Sequence, residues 1–331
     1  MATVLTLAGA AGEVLAAPPR IRLATLAPKG TVFEKVLLEM GEQWRSAPGG
    51  GARLILYTDG RMGGEGDVVK RMRVGQIEAG MLTATGLATI DDAVTAIQNM
   101  PMVFRTLDEV DYVRGKLQPG LEKRFLDRGF VLLAMGDSGW ARFFSRRKAL
   151  TPDDFKKLKL FAWSADNKII DLWKAAGFHP VPLEVTDMLT GLQTGLIDTV
   201  CTAPNYALAG QLDGPAPNML DLDWAPLVGG LVVTKDAWDR LPDESRQAMQ
   251  KAAAWAGGEI QRRSREENVE AVKALQKRGL TVNQATPEVI EAWRKTAEAA
   301  YPSLRGTSVP ADLFDRVQEL LKEYRASQKA K

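Results

Sequence analysis

One histidine and one cysteine limit the chemistry open to this chain. Cys201 has no partner for an intrachain disulfide, and a zinc site built from Cys and His ligands is excluded by count. A Ser-His-Asp or Cys-His relay would have to use His179. That residue sits in Gly177-Phe178-His179-Pro180-Val181-Pro182, a helix-to-strand turn held by two prolines, which argues for a structural role. Carboxylate pairs occur at Asp91-Asp92, Asp153-Asp154 and Asp221/Asp223. The first two precede helical segments, where Asp favours the N-terminal end of the helix dipole, so capping accounts for them. Gly60, Gly63, Gly64 and Gly66 lie between a strand and a helix, where backbone N–H groups can hold a phosphate. Their spacing is not Gly-x-Gly-x-x-Gly, and the Lys-Ser/Thr pair of a P-loop is missing. They read instead as a tight turn that brings the backbone close to a cleft. No nucleophile has a base beside it, so neither an enzyme, a cofactor nor a metal is expected.

The aromatic residues say more. Trp140, Phe143, Phe144, Phe161, Trp163, Tyr206 and Trp224 all fall at or beside predicted strand ends or lobe crossovers. Any one of them alone fits a core. Clustered near one cleft, they suit a large apolar or amphipathic ligand.

The elements that must position these residues follow from hydrophobic periodicity. Strands are predicted at 21–25, 53–57 and 78–83. A helix from Val32 to about Ser46 intervenes, with Thr31 and Glu34 as a capping box, and a second helix runs from Val68 to Gly75. The same β-α-β-α-β rhythm restarts at Lys159–Trp163, with a helix over 166–176, a strand at 181–183, a helix over 187–194 capped by Thr186, and a strand at 197–202. Each unit predicts a mainly parallel sheet flanked by helices, with ligands bound at the C-terminal strand ends. Residues 231–234 form a further strand. Beyond it the pattern is helical: a long helix from Pro242 to about Gly279 can bridge two lobes, one helix is capped by Thr286, and a last one runs from Pro310-Ala311 to about Ala326. The expected boundaries place residues 20–142 and 230–275 in lobe I, and 143–229 and 276–328 in lobe II.

At 331 residues and 45% apolar content the chain has room for two such lobes. Its net charge of +2 leaves no electrostatic footprint for nucleic acid, and Arg146-Arg147-Lys148 reads as a solvated turn. Residues 1–19 are rich in Ala, Leu and Val and end in small residues before Pro18-Pro19. They resemble the back half of a secretory signal peptide, but lack a basic segment and are interrupted by Glu13; an unstructured leader is the alternative. No apolar run reaches the length of a membrane span.

Several pieces, in this order, are similar to the periplasmic solute-binding proteins of TRAP transporters, the DctP-like family. They are Arg71–Gly80, Asn99–Phe104, Thr151–Lys159, Leu192–Asp198 and Trp238 with Leu241-Pro242. The resemblance covers about 21–321. It implies two α/β lobes with an interlobe cleft and a bridging helix, periplasmic localisation, and delivery of a small molecule to TRAP membrane permease subunits. It also implies that Phe161 stands where most of the family has an arginine that clamps a ligand carboxylate, and that Cys201-Thr202-Ala203 replaces a polar Glu-Asn-Pro. The chain is similar to a subset lacking that arginine, some of whose members use a helical-repeat periplasmic partner. The expected ligand is therefore hydrophobic or amphipathic. The alternative is an organic acid held by a relocated arginine, Arg142. The residues expected to bind ligand are Phe161, Trp163, Trp140, Asn205, Tyr206, Trp224, Thr83, Gly86, Ala27, Gly64 and Arg142.

Overall fold

The computed structural model describes residues 18–164 and 166–329; the expected leader falls almost wholly on residues 1–17, outside them. The chain opens with β1 (Arg20–Thr25), α1 (Val32–Arg45), β2 (Arg53–Tyr57), α2 (Glu65–Arg73), β3 (Ala79–Thr83), α3 (Ala84–Ala88) and α4 (Leu107–Asp127). Strand β4 (Phe130–Ser145) crosses into a second unit. There α5 (Pro152–Phe155), β5 (Lys159–Trp163), α6 (Asn167–Ala175), β6 (His179–Leu183), α7 (Met188–Thr194), β7 (Thr199–Thr202) and α8 (Pro204–Ala209) follow. Strand β8 (Asn218–Thr234) returns. It is followed by α9 (Lys235–Asp239), α10 (Asp243–Lys277), β9 (Thr281–Gln284), α11 (Pro287–Leu304) and α12 (Ala311–Lys329).

Strands β1, β2 and β3 pair in parallel, as do β5, β6 and β7, giving two α/β units as the periodicity predicts. What joins them is an antiparallel ribbon of β4 and β8, in register from Phe130↔Thr234 to Ser145↔Asn218. The strand order is therefore continuous, β2-β1-β3-β8-β4-β7-β5-β6, with β9 added on β8. Sequence reading found only the last four residues of β8 and none of β4. The physical reason lies in the residues themselves. Gly136-Asp137-Ser138-Gly139 interrupts the alternation of β4, Pro226 interrupts β8, and the register slips between Asp137 and Trp140 and again between Ala141 and Phe143. Such bulges bend a strand and increase its twist, which is what a ribbon needs in order to serve two lobes.

The caps show which local signals were read well. Thr151 and Asp154 form a full capping box at α5, and Thr286 accepts from the Val289 N–H at 3.4 Å. The box expected at Thr31 does not form. The Thr31 hydroxyl donates to the Pro28 carbonyl, while the Glu34 carboxylate accepts from the Gly30 N–H at 2.6 Å. The cap expected from Thr186 is likewise absent: residues 185–187 make a 3-10 turn, and α7 begins after it.

Helix α10 bridges the lobes, as its length predicts. Ala252, Ala253 and Ala256 pack into a first-lobe core with Trp44, whose indole N–H donates to the Met249 carbonyl at 3.0 Å, and Leu275 packs into a second-lobe core. Helix α12 departs from the expected boundary. Phe314, Val317, Leu320 and Leu321 share a core with Val110 and Val113 of α4, so the segment 276–328 divides near Leu304 and its last helix covers lobe I.

At the bend of the ribbon the buried Asp137 carboxylate accepts from Arg265 of α10 at 2.6 and 3.0 Å, and the same guanidinium reaches Asp111 of α4 at 2.9 Å. Removing one partner of a buried pair strands the other charge, at a cost of about 3 kcal/mol or more. Arg265→Ala should therefore lose about 3 kcal/mol of unfolding free energy in urea titration. A loss under about 1 kcal/mol would show that this triad is not what ties α10 to the ribbon.

Candidate ligand-binding cleft

The C-terminal ends of β1, β3, β5 and β6 face one another between the lobes. One cavity there, about 260 Å³, is lined by Thr85, Asp92 and Asn99 from the first lobe and Asp166 and Lys168 from the second. Two more are walled by the strand ends themselves. The larger, about 230 Å³, is walled by Phe161 and Trp163 of β5, Trp173 of α6 and Trp224 of β8, with Thr83, Thr85, Gln98 and Asn99 on the first-lobe side. Trp224 and Trp173 stack at 5.6 Å between ring centroids, and Trp224 is backed by Phe143 and Trp293 at 5.5 and 5.3 Å. Contacts of this kind hold the wall rigid. The smaller cavity, about 80 Å³, is lined by Ala27, Phe33, Glu65, Thr83 and Tyr206. The two share Thr83 and Leu227 as common wall.

Glu65, the first residue of α2, is the acid at the centre of the cleft. Thr83 donates its N–H to one carboxylate oxygen at 2.8 Å and its hydroxyl to the other at 2.7 Å. These bonds favour the ionised form, but burial outweighs them, and with the charge of nearby Glu184 the carboxyl is pushed up to about 7. A Cβ on Gly86 would strike this side chain, so α3 can pass over Glu65 only with glycine there. Glu184 stands at the end of β6 in the other lobe, where Ser164 donates to it. A Cβ on Gly64 would come within 2.8 Å of its oxygen, and one on Gly60 within 3.1 Å of the Thr186 methyl. The glycine turn thus lets the lobes touch, closing the cleft. Asp166 caps α6, accepting from the Ile169 N–H at 3.1 Å, and lines the aromatic cavity with its carboxyl raised by burial.

Among the described residues, no lysine or arginine lines either of these two cavities. Arg142, the candidate for a relocated clamp, lines neither of these cavities. Ala141 faces the aromatic cavity, and the neighbouring Arg142 side chain pairs with Asp221 at 2.8 Å and Asp223 at 3.1 Å. Cys201 also lines the aromatic cavity, and burial raises its thiol, which stays protonated.

Of the residues singled out from sequence, the structure gathers Phe161, Trp163, Trp224 and Thr83 at the larger cavity and Ala27, Thr83 and Tyr206 at the smaller. Gly64 and Gly86 abut the two glutamates. Trp140 lines neither cavity; it packs half-buried against the first-lobe core. Asn205 lies outside both, its N–H donating to the Asn268 side chain at 2.9 Å. Sequence reasoning missed Glu65, Glu184, Phe33 and Trp173. Glu65 alone carried a signal, as an acid directly after the glycine turn.

The model of the family described as bacterial extracellular solute-binding protein, family 7 (DctP), matches residues 23–306. The C4-dicarboxylate-binding periplasmic protein DctP of Rhodobacter capsulatus is 23% identical over 299 residues, covering 89% of this chain and 88% of that one. A TRAP periplasmic solute-binding protein of Shewanella oneidensis, with bound succinate, superposes with a TM-score of 0.85 at 16% identity, over 92% of this chain and 100% of that one. One from Chromohalobacter salexigens, with bound D-glucuronate, gives 0.83 at 17% identity, over 91% and 99%.

Glu65 makes stability pH-dependent in a definite direction. An acid whose folded pKa lies above its unfolded value binds its proton more tightly when folded. The stability it contributes is complete below about 4.5 and is lost as pH rises through about 7. The loss should be about 3 kcal/mol. Urea midpoints of the wild type and Glu65→Gln, compared at intervals from pH 4 to 8, should diverge over that window, with the variant flatter. Parallel profiles would mean that Glu65 titrates as an ordinary exposed carboxyl.

Proposed function

This chain belongs to the DctP family of bacterial extracellular solute-binding proteins, and from that premise we propose that it captures an amphipathic ligand with a large apolar body and presents it to a TRAP-type membrane permease. The family consists of transport proteins rather than enzymes, and its members are periplasmic. The ligand class rests on one observation: the aromatic cavity is walled by Phe161, Trp163, Trp173 and Trp224 with no lysine or arginine among its described lining residues. An ionised carboxylate moved there from water would lose its hydration without gaining a charge-assisted pair. Thr85, Gln98 and Asn99 supply neutral polar contacts for a hydroxyl, carbonyl or protonated acid at one end of such a molecule.

A second reading is favoured by the comparisons. The related structures hold succinate and D-glucuronate, and the relative from R. capsulatus is named for C4-dicarboxylates. On that reading the ligand here is an organic acid. Since Asp221 and Asp223 occupy Arg142, its carboxylate would rest on neutral donors.

Thermal-shift titration separates the two. A long-chain alcohol or fatty acid at about 100 times its dissociation constant should add roughly 2.7 kcal/mol, while succinate and D-glucuronate should add nothing. Stabilisation by the two acids alone would establish the second reading.

A further inference from the structure

A further cavity, about 310 Å³, lies between α1, α8 and α10. It shares Phe33 and Tyr206 with the inner, Glu65-lined cavity, so these two side chains are the whole of the wall that both cavities have in common. Their rings lie 5.4 Å apart, tilted by 49°. Phe33 comes from α1 in the first lobe. Tyr206 comes from α8; its ring packs on the same first-lobe core as Phe33, while the next residue, Ala207, is rooted in the second-lobe core. The partition is made of two side chains, so a rotamer change of either ring opens it.

We infer that the Phe33–Tyr206 pair is a gate, and that the tail of an amphipathic ligand held in the cleft passes through it into the groove between α1, α8 and α10. The inference rests on the amphipathic reading above and extends it to the shape of the ligand. Three features carry it. The first is continuity: the aromatic cavity meets the inner one at Thr83 and Leu227, and the inner one meets the groove at Phe33 and Tyr206. The second is size. The cleft cavities, at about 230 and 80 Å³, are individually smaller than the roughly 300 Å³ at which ligand pockets begin. Of the spaces that adjoin them, those reached past Met135 and past Asp166 are lined by charged side chains such as Arg265 and Lys168, and the groove beyond Phe33 and Tyr206 is walled mostly by carbon. The third is the groove's lining. Leu208, Ala271 and Ala274 give it an apolar wall, and its charged groups, Glu267 and Glu270, are both acids. A hydrocarbon tail fits that wall, and the ligand's polar head stays with Thr85, Gln98 and Asn99 in the cleft.

The gate should show itself as chain-length dependence. Saturated alkanols and alkanoates of about six to sixteen carbons, titrated by calorimetry against the full chain, should bind about fourfold more tightly for each added methylene buried. The gain should continue past the length that fills the cleft and end when the groove is filled. Ala209→Trp, an exposed position on the groove, and Ala274→Trp, on α10, should each lower the ratio of long-chain to short-chain affinity by tenfold or more. If long-chain affinity stops rising at cleft length and neither tryptophan changes the ratio, the gate is a fixed wall and this inference is overturned, with the amphipathic reading intact. If no alkanol or alkanoate binds at any length, the amphipathic reading fails and the inference fails with it.

Discussion

The hydrogen-bonded ribbon of β4 and β8 is the constraint from which the rest of the molecule follows. Two parallel α/β units could each bury a sheet face on their own, but nothing in a parallel unit dictates where its neighbour sits. A pair of strands 16 and 17 residues long, continuous through both units, does dictate it. The sheet of each lobe grows outward from the ribbon, β3 on one side and β7 on the other. Strand ends that would otherwise point into solvent are thereby turned towards each other, and the cleft is the space left between them. The ribbon also sets where bending is cheapest. Its ladder is interrupted at Asp137–Trp140, the position Arg265 grips from the bridging helix. The ion pair and the bulge are two halves of one arrangement: the bulge weakens the ladder locally, and the buried pair restores a fixed geometry without restoring the ladder.

The cleft is unusual for what its charges do. Its acids come from both lobes, Glu65 from the first and Glu184 and Asp166 from the second, and Arg142 is committed to two aspartates on β8. Closing the lobes brings like charge towards like charge in a site that excludes water, where such interactions weigh most. The protein meets this in two ways. Thr83 and Gly86 satisfy Glu65 with backbone and hydroxyl donors, and burial pushes its proton affinity up to about 7, so the repulsion is relieved by a proton rather than by a cation. An anionic ligand would add to the repulsion; a ligand that is mostly hydrocarbon does not.

Much of this was legible in the chain, and the boundary between what was and was not is physical. Parallel strands buried on both faces read as short apolar runs between turn residues, and β1, β2, β3 and β5 were found to within a residue or so. The long helix announced itself by length alone. The ribbon was invisible because its function requires glycines, an aspartate and a proline where a strand pattern wants alternation. The same holds within the site. Phe161, Trp163 and Trp224 were found because aromatics at strand ends stand out. Trp140 was chosen on the same ground but lies half-buried outside both cavities, since adjacency in sequence does not say which face a residue takes once the register has slipped. Glu65 and Glu184 escaped because one acid at a helix start looks like any dipole partner. Only their meeting across the lobes gives them meaning, and that meeting is a property of the closed fold.

Phe161 is then less decisive than its place in the sequence suggests, and the reason is geometric. A missing arginine is informative only if no other cation can take its place. Ala141 lines the aromatic cavity, and Arg142, the next residue along the slipped stretch of β4, does not. The aspartates opposite it on β8 complete the exclusion: any ligand that recruited Arg142 would first have to break two ion pairs and leave two carboxylates without their partner. The case for an aromatic cavity without a cation is therefore carried jointly by Phe161, which lines it, and by Asp221 and Asp223, which hold Arg142 outside it.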